Sequence, residues 1–299
     1  MSAKPGAHME EELRSQPECW RKALELDNSF LPTKGESVVV IGCGTSWFMA
    51  QSYAAMRESA GQGITDAYTA TEVRSQRPYD VAIVITRSGT TSEVIDFLEN
   101  NKKADKPMRT IALLGAQDTP VGTLADHVVN LEFADEQSVV QTRFATSALM
   151  FLRSAVHPRA DLDQAIAQAE EFLATEPEEQ LVDAEQYSFL GADWAMGIAT
   201  EAGLKMRESC QAWTESYNSM EYRHGPIAIA APGRITWQFG PAPEGMADQV
   251  AATGATYIQT GKDPLADLVR VHQIALATSR ARGLDADNPR NLTRSVILK

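Results

Sequence analysis

VAIVITRSGTTSE, residues Val81–Glu93, decides how the rest of the chain is read. An apolar run, Val81–Ile85, passes without a break into Thr86-Arg87-Ser88-Gly89-Thr90-Thr91. A helical pattern of Val94, Ile95, Phe97 and Leu98 follows. Such a sequence reads as a buried strand, a polar turn and a helix. The first turn of a helix leaves backbone N–H groups without partners, all pointing one way, so the turn is a ready anion site. Thr86, Ser88, Thr90 and Thr91 add hydroxyl donors, Arg87 adds a charge, and Gly89 lets the backbone approach closely. Ordinary helix capping needs one such hydroxyl. Five of the seven residues from Thr86 to Ser92 are Ser or Thr, so the stretch reads as a phosphate-binding loop.

Upstream, Ser37–Ile41 (SVVVI) reads as a second buried strand. Gly42-Cys43-Gly44-Thr45-Ser46 is a glycine-rich turn, and a helix runs from about Trp47 to Glu58. A GxG turn after a strand also serves merely to reverse the chain. Beside Thr86–Thr91 it becomes the second wall of one site, with Thr45 and Ser46 as donors. Downstream, strands at Arg109–Gly115 and Val128–Phe133 and a helix at Val139–Leu152 continue the alternation. That rhythm implies a parallel sheet covered on both faces. Asp161–Thr175 reads as a linker helix with an acidic, solvated face. The alternation resumes with Tyr187–Leu190, a long helix over Ala195–Ala212, Arg234–Phe239, Pro243–Gly254, Thr256–Gln259 and Leu265–Gly283. At the start, Glu10–Leu26 is a helix interrupted before Pro17 and restarted there. Met1–Gly6 reads as disordered.

A chain of 299 residues suffices for two domains. Its net charge of −13 argues against nucleic acid and anionic membranes as partners. An acidic chain that binds an anion must do so at a local site. Cys19, Cys43 and Cys210 are widely spaced and odd in number, which points to a reducing cytoplasm without a disulfide frame. No Cys/His spacing suits zinc, so neither a metal nor another cofactor is expected. There is no apolar run of bilayer length and no signal-peptide core near Met1, so the expected setting is cytoplasmic.

Five pieces occur in one order along the chain: GCGTSW at Gly42–Trp47, TRSGTTSE at Thr86–Glu93, EAGLKMRES at Glu201–Ser209, EYRHGP at Glu221–Pro226 and NPRNLTRSV at Asn288–Val296. Gln16-Pro17-Glu18 precedes them. The set resembles the SIS (sugar isomerase) domain family, in particular the isomerase half of glucosamine-6-phosphate synthase and its stand-alone relatives. The resemblance implies an α/β chain of two doubly wound SIS domains, each a parallel sheet flanked by helices. An N-terminal helical segment covers 1–30, the first domain 31–158, the linker helix 159–178 and the second domain 179–299. The second should be trimmed, because the stretch between Thr256 and Leu265 is short.

The same resemblance implies a sugar 6-phosphate as small-molecule partner, held by Ser46, Thr86, Arg87, Ser88 and Thr91. Its sugar-contacting stretch falls on Val140-Gln141-Thr142, with Arg143 where a lysine is usual. Glu208 matches the general base that moves a proton between C1 and C2. His224 matches the ring-opening histidine, commonly lent by the partner subunit, which implies a homodimer with shared active sites. Glu201 and Lys205 match residues that flank the sugar. The family's tail usually carries a lysine where this chain has Arg294, and in the synthase that lysine forms an imine with the ketose. Arginine stays protonated and cannot do so.

Glu201, Lys205 and Glu208 stand at i, i+4 and i+7, on one helix face. That spacing also fits a surface Glu–Lys–Glu ladder worth a few tenths of a kcal/mol. Small and apolar neighbours, Ala199, Ala202, Gly203, Leu204 and Met206, argue for a packed helix, where a carboxylate beside a lysine suits acid–base work. His224, before Gly225-Pro226, sits in a turn, whereas His8, His127, His157 and His272 read as structural. The expected substrate is glucosamine 6-phosphate or its N-acetyl form, opened and then deprotonated at C2. The resulting enol leads to isomerisation with deamination, or to dehydration. A sensor that binds the sugar phosphate without turning it over is the non-enzymatic alternative.

Overall fold

Val38–Ile41 (VVVI) and Val81–Thr86 (VAIVIT) are buried along their whole length, as strands inside a doubly covered parallel sheet must be. Burying each of their large side chains contributes roughly 1.5–3 kcal/mol. They are β1 and β3 of the nine strands found in the described residues, 4–73 and 77–298 of a computed structural model. The others are β2 (Thr65–Tyr68), β4 (Arg109–Leu114), β5 (His127–Asn130), β6 (Gln186–Gly191), β7 (Trp213–Asn218), β8 (Arg234–Gln238) and β9 (Thr256–Ile258). The helices of the first half are α1 (Ala7–Arg14), α2 (Gln16–Ala23), α3 (Thr45–Ser59), α4 (Ser92–Lys103), α5 (Pro120–Leu124) and α6 (Arg143–Arg153). Then come α7 (Arg159–Leu173), α8 (Glu179–Val182), α9 (Ala195–Cys210), α10 (Met246–Ala251) and α11 (Pro264–Ala281).

Two compact units emerge, and neither is one continuous stretch. The five-stranded unit comprises 18–136, 143–162 and the tail from 293. Its sheet runs β2-β1-β3-β4-β5, every neighbouring pair parallel. The four-stranded unit comprises the chain as far as Pro17, then 137–142 and 163–292. Its sheet runs β7-β6-β8-β9, again parallel throughout. In both sheets the second strand in sequence pairs outside the first, and the third returns to its other side. The four-stranded sheet has no equivalent of β5 among the described residues. Its chain passes from β9 to α11 across only 259–263.

Several boundaries depart from the sequence reading. The helix expected from Val139 begins at Arg143. The N–H groups of Gln137, Ser138 and Val139 are instead taken by Glu12 and by the Asp287 carbonyl. The strand expected over Val128–Phe133 ends at Asn130, and a 3-10 turn occupies Glu132–Ala134. Of the segment read as disordered, Met1–Ala3 lie outside the described residues. Gly6 is tied down, its N–H donating to Asp285 Oδ1 at 2.8 Å. β2 (TDAY) and β7 (WTESYN) were not anticipated: both are edge strands, partly exposed and short of apolar residues. No helix of the described residues is long and apolar enough to cross a membrane.

Candidate active site

In the five-stranded unit, β1 and β3 are neighbours whose onward connections go to opposite sides, β1 to β2 and β3 to β4. The crevice outside the carboxyl ends of such a pair is where open α/β sheets bind ligands. Gly42–Gly44 leads from β1 into α3, and Arg87–Thr91 leads from β3 into α4. A Cβ on Gly42 would lie 2.4 Å from the carbonyl carbon of Ser46, so only glycine permits that turn. Gly89 has φ +62°, and its absent Cβ would collide with the Thr119 side chain at 2.3 Å. The close approach at Gly89 is thus made by Thr119, the N-cap of α5.

Thr86 ends β3, Thr45 and Ser46 open α3, and all three are buried. Thr91 occupies the N-cap position of α4, yet its hydroxyl makes no capping hydrogen bond. Ordinary capping therefore does not account for it. Ser88 and Thr90 face the tail: Ser295 Oγ lies 3.2 Å from Ser88 Oγ and 3.0 Å from Thr90 Oγ1. The Arg87 guanidinium is 2% exposed and does not stand as an isolated charge. Its Nη1 lies 3.4 Å from Glu136 Oε2, and its Nη2 donates to the Arg294 carbonyl at 3.3 Å.

Arg143 and Arg294 converge on the same turn. Arg143 N–H donates 2.8 Å to Glu136 Oε1, and its Nε donates 3.0 Å to the Asp135 carbonyl. Arg294 donates to the Glu136 carbonyl and pairs with the Asp135 carboxylate at 2.5 Å. Asp135–Glu136 therefore gathers three arginines: two expected at the sugar and one expected at the phosphate. Val140, Gln141 and Thr142 belong to the four-stranded unit. Val140 and Thr142 are buried there, while Gln141 is half-buried.

In the four-stranded unit, α9 carries Glu201, Lys205 and Glu208 on one face. Lys205 Nζ lies 2.8 Å from Glu208 Oε2 and 3.4 Å from Glu201 Oε1. Lys205 and Glu201 are fully buried, whereas Glu208 is 19% exposed. A surface ladder is excluded by that burial. Glu208 borders a cavity of about 390 Å³, together with Leu204, Arg207, Gln211, Arg290 and Asn291. Burial pushes Arg207 below its ordinary value, and the charges of Glu201 and Glu208 partly restore it.

His272, read from sequence as structural, is buried on α11 within the field of Lys205. Desolvation first, and then that charge, hold it well below the usual histidine value, so it is neutral. Gln16 Nε2 lies 3.2 Å from His272 Nδ1. An amide nitrogen only donates, so Nδ1 accepts and the ring proton sits on Nε2. His224 is exposed at the end of a 3-10 turn, Glu221–His224. Its neighbours pin that turn: Tyr222 OH lies 3.2 Å from Thr236 Oγ1, and Arg223 Nε donates 2.7 Å to Gln249.

The SIS domain family model matches residues 33–158, the stretch that holds both glycine-rich turns. The match covers 126 of the chain's 299 residues. Similarity to curated proteins extends over most of the chain. The glutamine–fructose-6-phosphate aminotransferase (isomerizing) of Chlamydia trachomatis is 25% identical, over 98% of this chain and 58% of its own length. That of Thermosynechococcus vestitus is 24% identical, over 88% of this chain and 52% of its own. The chain thus spans about half the length of these curated relatives. Among solved structures, glucosamine-6-phosphate deaminase from Thermotoga maritima has a TM-score of 0.83 at 21% identity, covering 98% of this chain and 100% of that one. The C-terminal domain of the Francisella tularensis glucosamine-fructose-6-phosphate aminotransferase scores 0.80 at 18%, covering 94% and 98%. At these identities the two structures speak for the α/β fold of parallel sheets flanked by helices.

Proposed function

We propose that this chain is an enzyme acting on an amino-sugar 6-phosphate, glucosamine 6-phosphate or its N-acetyl form, through ring opening and removal of the C2 proton. The observation that carries the reading is the burial of Lys205 and Glu201 beneath a Glu208 that opens onto a cavity. A lysine is rarely buried without a reason. Here it holds one oxygen of a carboxylate that still reaches solvent. Glu208 is the general base, His224 opens the ring, and Lys205 and Glu201 orient the base. Thr45, Ser46, Thr86, Arg87, Ser88 and Thr91 anchor the phosphate, Arg87 with its charge shared with Glu136. Val140, Gln141, Thr142, Arg143 and Arg294 serve the sugar. In this reading the four-stranded unit is a second SIS domain, trimmed by one strand, and the chain works in the cytoplasm as a homodimer.

Isomerisation with loss of ammonia is the first exit for the enol. Dehydration is the second, and Arg294 favours keeping it: the residue in the place of the imine-forming lysine is an arginine paired with Asp135. The test is C2 proton exchange in heavy water on both sugar phosphates, with ammonia, fructose 6-phosphate and dehydrated product scored separately. Glu208→Gln should abolish the exchange and lower turnover by roughly 10²–10⁴ while binding survives. Binding by the wild type without C2 exchange would make the chain a sensor. Near-normal exchange in the Gln variant would remove Glu208 from the chemistry.

A further inference from the structure

Three consecutive backbone N–H groups just before Val140–Thr142 are held by residues far away in sequence. Those of Gln137 and Ser138 both donate to Glu12 Oε1, the second at 3.1 Å. That of Val139 donates to the Asp287 carbonyl at 3.1 Å. Ser138 Oγ donates to Glu12 Oε2 and lies 2.8 Å from the Val140 carbonyl. Its one proton serves only one of these oxygens at a time. Asp287 closes the ring, because its carboxylate accepts from the N–H groups of His8 at 3.0 Å and Met9 at 2.8 Å in the first turn of α1.

Glu12 is 2% exposed, on the inner face of α1. A carboxylate in such a place is costly unless donors surround it. Among the described residues, its three donors come from Gln137 and Ser138. An apolar residue would serve the packing of α1 equally well, so packing alone does not explain the glutamate. The segment it holds has no regular structure of its own, since α6 begins only at Arg143. Two residues beyond the anchored Val139, the side-chain oxygen of Gln141 is buried and accepts no hydrogen bond from any described residue.

We infer that Glu12 is a positioning residue: it fixes 137–142 so that the Gln141 side-chain oxygen is presented to a hydroxyl or N–H donor of the bound sugar. The inference rests on the assignment of Val140–Thr142 to the sugar in the proposed function. The first helix thereby acts on substrate selection without touching substrate.

The experiment compares binding of glucosamine 6-phosphate and of inorganic phosphate, with amide hydrogen exchange on the same samples. Glu12→Gln keeps one acceptor oxygen, so its NH₂ must face either the N–H groups of Gln137 and Ser138 or the hydroxyl of Ser138. It should weaken the sugar phosphate by about tenfold or more and leave inorganic phosphate within about twofold. Exchange should quicken at 137–139. Gln141→Ala should show the same selective loss, and the double variant should be no worse than Gln141→Ala alone. If Glu12→Gln does not fold, Ser138→Ala decides: it removes one of the three contacts and should lose part of the sugar-phosphate preference. Equal weakening of both ligands, an unchanged preference, or losses that add in the double variant would overturn the role of Glu12. A wild type that prefers neither ligand overturns the functional reading, and this inference with it, before any variant is made.

Discussion

Arg87, Arg143 and Arg294 lie 56 and 151 positions apart in sequence, yet all three meet Asp135–Glu136. A buried ion pair such as Arg87–Glu136 is costly to break from one side, because the remaining charge is left without a partner. Arg87 is therefore a poor target for probing the proposed anion site, as its loss would disturb the turn itself. Thr91 and Ser88 are better. The Thr91 hydroxyl is not spent on capping α4, and that of Ser88 meets, among the described residues, the tail and the N–H of Thr90. Replacing both with alanine should weaken 6-phosphate binding roughly tenfold or more, ~1–3 kcal/mol in all, with little change in melting temperature. Titration of glucosamine 6-phosphate against unphosphorylated glucosamine checks this; equal affinities for the two in the wild type would sink the phosphate assignment. The loop itself was legible because strand, turn and helix start are contiguous. The pairing of Arg87 was not, since nothing near residue 87 announces a partner at 136.

At the level of elements, legibility follows burial. β1 and β3 stand out because both faces of each are covered, so their sequences are apolar throughout. β2 and β7 lie at sheet edges, where half-exposed residues such as Asp66 and Glu215 erase the pattern. The misplaced start of α6 has the same kind of cause: Glu12 and Asp287 are more than a hundred positions from the N–H groups they capture. α11 holds a further buried polar residue that sequence could not flag. Asp267 is fully buried in its first turn, and burial pushes its carboxyl up to about 7. The hydrogen bond from Thr260 at 2.5 Å opposes that rise, and the charge of Asp263 adds to it. A folded value above the unfolded 3.8 means that the native state binds this proton more tightly. The resulting penalty is absent below about pH 4, grows as pH rises, and is complete above about 7. Asp267→Asn should therefore be close to neutral near pH 3.5 and stabilising at pH 8, by an amount on the order of a few kcal/mol. Denaturant unfolding of both proteins across that range measures it. A stability difference that does not vary with pH would show that Asp267 does not titrate in this window.

For the whole molecule, the division of labour is set by how the chain is cut into units. Neither unit can be excised at one position, because α1 and 137–142 belong with 163–292 while the tail from 293 belongs with the five-stranded sheet. Glu208 and His224 both belong to the four-stranded unit, but in different settings. Glu208 points into a cavity beside Lys205, whereas His224 stands exposed on a turn whose flanking residues Tyr222 and Arg223 are pinned. An exposed histidine on a rigid turn is suited to donation across an interface, which is what the proposed homodimer requires of it. In a symmetric dimer each site would then combine Glu208 from one chain with His224 from the other. Glu208→Gln and His224→Ala homodimers should each be inactive. Mixed one to one and allowed to exchange subunits, they form mixed dimers in about half the population, each with one site carrying both native groups, so activity should return to about a quarter of wild type. The measurement is turnover after co-refolding, with mixed dimers quantified by differential tagging. Abundant mixed dimers without recovered turnover would place both groups in the site of a single chain, and the exposure of His224 would then need a different partner to explain it.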